Sequence, residues 1–489
     1  MSSTHNDLTY DVIVVGAGPA GENVADRAVQ GGLSVVIVED ELVGGECSYW
    51  ACMPTKALLR STTALHAAQQ LPGARQAITS SLDVDAILRR RDGFTSGWKV
   101  DGQVCWLQQA GIDLVRGRGR LNGPHTVEVT GVQGQTTLTA RQAVVIATGS
   151  FALVPPVPGL ADVPVWTNRE AVAVKAVPGR LAIVGGGVVA AEMATAFARL
   201  GSTVTMLARD GVLPTNEPFA GELVTQALKD MGVAVHLGTG VTAARLDENG
   251  FTVLSLTNGT ELETDQVFLA VGRGPNTKDV GLPQIGLTPG TWLPVNDTMQ
   301  VLDDGGKPLG GGWLYAVGDV NHRALLTHQG KYQARAAGDA IVARAARKAA
   351  DEDQWSWHTA TADVRTVPQV IFTDPEVAAV GLTAARAERD GYRTRVVDYD
   401  LGSVSGAALH ADGYTGRARM VVDEDRQVIL GMTFVGPDVA ELLHAATIAI
   451  VGEVPLKRLW HAVPAFPTIS EVWLRLLEGY GRPNADISS

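Results

Sequence analysis

Residues 10–40 read YDVIVVGAGPAGENVADRAVQGGLSVVIVED. The apolar run Val12–Val15 has the character of a strand buried on both faces. Gly16, Gly18 and Gly21 follow at once as GxGxxG, with Pro19 and Ala20 between the last two, and a helical run and a second apolar strand come after. The three glycines serve different ends. Gly16 permits the tight turn, Gly18 lets backbone approach a pyrophosphate, and Gly21 lets the helix lie close to the strand. Phosphates then rest on the helix N-terminus, where unpaired N–H groups and the dipole favour negative charge. Glu39 ends the second strand, 18 residues after Gly21, where a carboxylate can accept hydrogen bonds from a ribose. A bare GxGxxG would say little. Strand, turn, helix, strand and a terminal acid together predict a dinucleotide-binding fold.

The pattern returns at 180–210, RLAIVGGGVVAAEMATAFARLGSTVTMLARD, with Gly185, Gly187 and Ala190 as GxGxxA. Two such folds in one chain predict two dinucleotides. Where the second would carry an acid for a ribose 2′-hydroxyl, the strand ends in Ala208 and Arg209, and Asp210 follows. An arginine there pairs with a 2′-phosphate, which tilts the expectation to NADPH over NADH; the competing reading is a solvated surface arginine.

The 489 residues allow several domains, and 45% hydrophobic with 19% charged residues is ordinary for a globular protein. The net charge of −12 argues against a nucleic-acid partner, since phosphates call for a basic surface. The N-terminal MSSTHNDLTYDVIVVG lacks the basic and apolar regions of a secretory signal, and no apolar run reaches the roughly 18 residues of a membrane span. Three cysteines are too few for a secreted disulfide framework. These features lead to the expectation of a soluble cytoplasmic protein.

Further signals lie between and after the two folds. AVVIATGS, 143–150, reads as a buried strand ending in Thr148-Gly149; FLAVGRGPNT, 268–277, as a strand ending in Gly-Arg-Gly-Pro; and Asp319 stands at a strand end before a helix. Residues 348–364 are polar and irregular, a linker by composition, after which strands alternate with amphipathic helices as in an α+β domain. The predicted fold class is α/β: two Rossmann-like dinucleotide-binding domains plus a C-terminal α+β dimerisation domain. The expected division is 1–155, first dinucleotide domain; 156–275, second; 276–360, return to the first; and 361–489, C-terminal domain.

Cys47 and Cys52 lie in GGECSYWACMPTK, 44–56. Residues i and i+5 of one regular helix stand about 7.5 Å apart along its axis and point apart around it, too far for a disulfide. The pair therefore bridges only if the chain is not regularly helical at Cys47, and the flanks predict a loop feeding a helix that starts near Pro54. Metal binding, two inert core thiols and a redox-active dithiol are the readings open to the pair. The segment holds no further Cys or His ligand, and the Gly-Gly and Pro-x-Lys flanks favour the dithiol. Cys105, in DGQVCWLQQAG, reads as a buried helix residue.

With these residues in view, the chain resembles the class I pyridine nucleotide–disulfide oxidoreductases, which include dihydrolipoamide dehydrogenase, glutathione reductase and mercuric reductase. The resemblance covers about residues 8 to 480. It rests on GAGPAG at 16–21, GGxCxxxxCxPxK at 44–56, ATG at 147–149, GGGxxxxE at 185–192, GRxPNT at 272–277, AxGD at 316–319 and FTDPExAxVG at 372–381. It implies a homodimer holding FAD in the first site and a nicotinamide in the second, with no metal. Cys52 matches the cysteine facing the flavin, Cys47 the interchange thiol, and Lys56 and Glu192 an ion pair beside the flavin. Asp319 and the stretch Leu325–His328, with Leu326 and Thr327, match the lining of the flavin ribityl chain. The resemblance also assigns Gly44, Gly45, Glu46, Gly119, Thr148, Gly149, Gly272 and Arg273 to the cofactors, and Gly185, Gly187, Val188 and Val189 to the nicotinamide, beside the Arg209 already read from its place in the second fold.

One departure stands out. The family's reductases carry His-Pro-Thr-x-x-Glu near the C-terminus, supplied by the partner subunit; here the stretch is AFPTISE, with Phe466 at the histidine position and Glu471 retained. Phenylalanine carries no proton. His444 and His461 lie upstream as possible substitutes. Between the cysteines, where the family has small or polar residues, stand Tyr49 and Trp50. Either they pack under the flavin domain, or with Phe466 they form an aromatic wall suited to a flat or hydrophobic acceptor. The expected activity is passage of electrons from NADPH through FAD and Cys47–Cys52 to a small acceptor, quinone-like or an atypical disulfide. The alternatives are a dihydrolipoamide dehydrogenase of a multienzyme complex and a non-catalytic flavin redox sensor.

Overall fold

The computed structural model describes residues 7–132 and 134–482. They form two compact units: 1–54, 90–153 and 272–364 in the first, and 55–89, 154–271 and 365–489 in the second, within those described limits.

The first unit is built on a seven-stranded sheet. Its order is Asp113–Arg116, Val35–Glu39, Asp7–Val15, Gly134–Ile146, Thr126–Gly131 and Arg118–Leu121, with Leu314–Ala316 on the other edge of Gly134–Ile146. Asp7–Val15 runs parallel to both neighbours, pairing Val12 with Val35 and with Ala143. A parallel strand covered on both faces must be apolar throughout, and Val12, Ile13 and Val14 are fully buried. The helices Pro19–Gln30 and Thr327–Ala345 lie together on one face, where Gly338 meets the side chain of Arg27. The polar stretch before residue 364 is not a free linker. Ala360 is buried and donates to Asp297 O, and the buried Asp363 accepts from Gln329 and Gln333, while Arg323 lies 3.5 Å away.

The second unit holds the other Rossmann-like sheet, five parallel strands in the order Ala234–Leu237, Thr203–Ala208, Arg180–Val184, Gln266–Leu269 and Val165–Trp166. An antiparallel three-stranded sheet, Val241–Leu246, Thr252–Leu256 and Glu261–Thr264, adjoins it. The C-terminal part is a five-stranded antiparallel sheet, ordered Pro368–Ile371, Glu376–Gly381, Val428–Gly436, Arg417–Asp423 and Thr394–Asp400. Val428–Gly436 is buried along its whole length, with the helices Leu443–Val451 and Val472–Tyr480 contributing to the same core. Arg419 reaches Glu217 at 2.8 Å, tying the two parts of this unit together.

Three local expectations need correction. Gly-Arg-Gly-Pro is no mere strand end: Arg273–Pro275 is a short strand paired with Ser150–Ala152. Cys105 is exposed, because the helix Asp101–Gln109 turns Leu107 inward and leaves Cys105 on its solvent face beside Gln109. Cys47 is not in a loop but on a five-residue helix, Gly45–Tyr49, and the following helix starts at Cys52, near Pro54 as expected. The chain breaks between them at Trp50, whose φ of −129° is not helical.

Candidate active site

The break at Trp50 is what lets two cysteines five residues apart meet. Cys47 and Cys52 are both in the thiol form, and Cys47 faces Cys52 as a hydrogen-bonded neighbour. That hydrogen bond, and then burial, push the Cys47 thiol well above its ordinary value, while Lys331 pulls it down. Cys52 Sγ lies 3.4 Å from Oγ1 of Thr327, the first residue of the Thr327–Ala345 helix. Lys331 stands four residues further on, one turn along that helix and on the same side.

Tyr49 and Trp50 divide. Tyr49 is 1% exposed, and its hydroxyl donates to the carbonyls of Val43 and Lys99; it is a core residue and not a pocket wall, since packing and two acceptors hold it inside. Trp50 is half-buried against Trp98, ring centres 5.8 Å apart.

The glycines of the first fingerprint do what close backbone approach demands. A Cβ on Gly21 would fall 2.0 Å from Gly16 O, and one on Gly16, whose φ is +107°, 2.5 Å from Ala147 O. A Cβ on Gly45 would come 2.6 Å from Gly18 Cα, whereas Gly18 itself has nothing nearer than 4.0 Å, leaving an open cradle. The Pro19–Gln30 helix starts at Gly18 with no side-chain cap, so its first N–H groups are available to a phosphate. Glu39 accepts from the N–H of Ala17 at 2.7 Å and of Glu41 at 2.8 Å, and burial outweighs those bonds to raise its carboxyl. Gly119 packs under this strand end, its Cβ position 3.0 Å from Val38.

Asp319 accepts from the Ser150 hydroxyl at 2.5 Å, and Arg273 donates to Ser150 Oγ and O, both at 2.7 Å, with Glu46 3.6 Å away. Burial raises the Asp319 carboxyl, opposed by the Ser150 bond and Arg273. Thr148 Oγ1 is buried without a hydrogen-bond partner, next to Gly149 in left-handed conformation. An orphaned hydroxyl, a glycine cradle and an uncapped helix start fit a bound dinucleotide. Sequence reasoning missed Ser150; its place directly after ATG was the available signal.

In the second unit, Lys56 Nζ lies 2.8 Å from Glu192 Oε2, and Glu192, 2% exposed, also accepts the Phe372 N–H at 2.9 Å. The Lys56 ammonium sits 5.1 Å from the Phe372 ring centre. At the second fingerprint, Gly185 has φ +131° and a Cβ position 2.3 Å from Ala270 O; Gly187 starts the Val188–Arg199 helix without a side-chain cap, and Val189 is exposed. Arg209, with 79% of its side chain exposed, rests on Asp210 at 2.9 Å.

Phe466 is 74% exposed and precedes a cis proline, while the buried Glu471 is held by Arg475 at 2.5 Å with its second oxygen unpaired. His444 and His461 occupy exposed positions. Among the described residues, no group of three or more acidic, His or Cys side chains is arranged for a metal, and no helix is long and apolar enough to cross a membrane.

A cavity of about 400 Å³ in the first unit is lined by Glu22, Asn23, Gly102, Gln103, Trp106 and Lys331. Its link to the thiols is Lys331. Sequence reasoning passed over it, although a charged residue directly after Gly21 was a visible signal.

Residues 10–340 match the pyridine nucleotide-disulphide oxidoreductase family and 367–476 its dimerisation domain. The chain belongs to that family, and is an NAD(P)H-dependent flavoenzyme with a domain that supports a homodimer. It is 32% identical to a dihydrolipoyl dehydrogenase of Haloferax volcanii over 96% of this chain and 95% of that one. It is 30% identical to a mercuric reductase of Staphylococcus aureus, over 96% and 82%. In fold it is similar to the HOCl-induced flavoprotein disulfide reductase RclA of Escherichia coli, TM-score 0.81 at 23% identity, covering 96% and 99%.

Proposed function

We propose that this enzyme oxidises NADPH and passes the electron pair, by way of bound FAD and the Cys47–Cys52 dithiol, to a small oxidant, quinone-like or a disulfide whose thiol leaves as a stable anion. FAD, when bound, accepts hydride from the nicotinamide and relays two electrons to sulfur. The chain's own residues hold it: Gly16 to Gly21, Glu39, Gly44 to Glu46, Gly119, Thr148, Gly149, Asp319 and Leu326 to His328 form the cradle. Gly185 to Val189 receive the nicotinamide dinucleotide, and Gly272 and Arg273, at the start of the short strand paired with Ser150–Ala152, contribute to cofactor binding. Arg209 has the exposure and charge to exchange Asp210 for a 2′-phosphate.

The observation that carries the acceptor reading is Phe466. At the position where the family's reductases have their base, this chain exposes an apolar ring, and Glu471 has taken Arg475 as its partner. An acceptor whose reduction depended on that histidine would be served poorly. The cavity that Lys331 lines is polar with one indole, Trp106, and Tyr49, Trp50 and Phe466 are not among its walls. A quinone's carbonyl oxygens would find Lys331 and Gln103 there, and its ring Trp106.

The dihydrolipoyl dehydrogenase among its relatives favours a second reading, reaction with lipoamide. An acceptor screen with the purified enzyme separates them. Quinones or acidic low-molecular-weight disulfides should outpace lipoamide by kcat/KM, and Cys47→Ser should stop disulfide reduction. Efficient lipoamide turnover would replace the proposal with the second reading; absence of turnover with every acceptor would favour a redox sensor.

A further inference from the structure

We infer that Glu22, which lines one cavity with Lys331, is the proton carrier of this active site, standing in for the histidine that Phe466 replaces. The inference deepens the proposed function, since it rests on a redox-active Cys47.

Glu22 lies in the first turn of the Pro19–Gln30 helix, immediately after the fingerprint's last glycine. Its Oε1 is buried and accepts no hydrogen bond, so a carboxyl oxygen is held out of water with nothing to satisfy it. An orphaned oxygen of this kind costs free energy unless a proton or a ligand fills the place. The group lines the cavity of about 400 Å³ together with Lys331, Asn23, Gln103 and Trp106. Lys331 is the bridge: its charge acts on Glu22 and on the Cys47 thiol alike. The other walls keep the cavity close to the dithiol. Gln103 packs against Gly44, three residues before Cys47, and Thr327, one turn before Lys331, touches Cys52.

The ionisable groups around Glu22 come from three further elements. They are Lys331 on the Thr327–Ala345 helix, Glu39 at the end of Val35–Glu39, and Tyr49 on Gly45–Tyr49. Burial is the largest influence and raises Glu22, Lys331 opposes it, Glu39 adds to it, and the carboxyl is pushed up to about 7. A group that titrates there can take and return a proton near neutrality. Cys47 needs such help: its neighbour and burial hold it as a thiol, and only the thiolate attacks.

In the net step the reduced dithiol forms the Cys47–Cys52 bond and gives up two electrons and two protons, and the acceptor gains both. The Cys47 proton passes to the Glu22 carboxylate. The carboxylic acid then returns it to the acceptor at a quinone oxygen. The second proton comes from Cys52. Lys331 stabilises the anions formed on the way. Unlike the family's histidine, this carrier belongs to the same subunit as the thiols.

The test uses the flavin-loaded enzyme with Glu22→Gln, Glu22→Asp and Lys331→Met. Glu22→Gln should slow acceptor reduction about 10²-fold while anaerobic reduction by NADPH changes little. The wild-type rate of Cys47 alkylation by iodoacetamide, measured on NADPH-reduced protein, should rise with pH through about 7. That limb should vanish in Glu22→Gln and survive in Glu22→Asp. Lys331→Met should move it upward, because the ammonium opposes burial at Glu22; the same charge also lowers Cys47, so this arm is read only beside a Glu22 variant, and Glu22→Asn takes the place of Glu22→Gln if that variant loses its flavin. An unchanged limb in Glu22→Gln, or an unmoved one in Lys331→Met, overturns the inference. A fully active Cys47→Ser would instead overturn the dithiol reading on which it rests.

Discussion

Replacing Glu192 by alanine removes one member of a buried ion pair and leaves two groups wanting. Lys56 loses a carboxylate at 2.8 Å, and the Phe372 N–H loses its acceptor at 2.9 Å. At an effective dielectric constant of about 20, the 2.8 Å contact alone is worth about 6 kcal/mol of attraction. Much of that offsets the desolvation of a carboxylate that is nearly inaccessible. Breaking a buried pair from one side costs roughly 3–5 kcal/mol. The lower figure applies here, because Lys56 keeps 33% side-chain exposure and its ammonium can rehydrate. Glu192→Gln keeps an oxygen for Phe372 and gives up only the charge, so it should cost about 1 kcal/mol less. Hydrogen exchange at the Phe372 amide reads both effects locally, without requiring that the whole chain unfold in one step. A loss of about 3 kcal/mol corresponds to exchange roughly 10²-fold faster in Glu192→Ala, and Glu192→Gln should fall several-fold short of that. Rates within about twofold of wild type in both variants would refute the argument that this pair and this amide form one unit.

Three other outcomes are expected. Anaerobic titration with NADPH should deliver more electrons than the flavin alone accepts, and Cys47→Ser or Cys52→Ser should remove the excess; equal uptake by all three would mean an inert pair. Arg209→Ala should weaken NADPH about tenfold or more and leave NADH little changed, since a charge-assisted bond is worth roughly 1.5–3 kcal/mol; equal use of both coenzymes, unaltered by the substitution, would sink the assignment. Phe466→His should raise lipoamide or glutathione disulfide reduction without improving quinone reduction, and no gain would show that the position has lost its proton role altogether.

Much was legible from residues 10–40 and 180–210. Apolar strands followed by glycine turns leave a chain little choice, because only glycine tolerates a carbonyl 2.0–2.5 Å from where a Cβ would stand. The Lys56–Glu192 contact came from family motifs, and the two side chains stand 2.8 Å apart. What the sequence could not convey was which side a residue faces. Cys105 and Tyr49 have neighbours of similar character, yet one is exposed and the other buried with its hydroxyl between two carbonyls. That depends on the rotation of a short helix, which is set by the elements it packs against rather than by its own residues. The meeting of Glu22 and Lys331 is of the same kind. More than 300 residues separate them in the chain, and only the packing of two helices on one sheet brings both to a single cavity and leaves a carboxyl oxygen there without a partner.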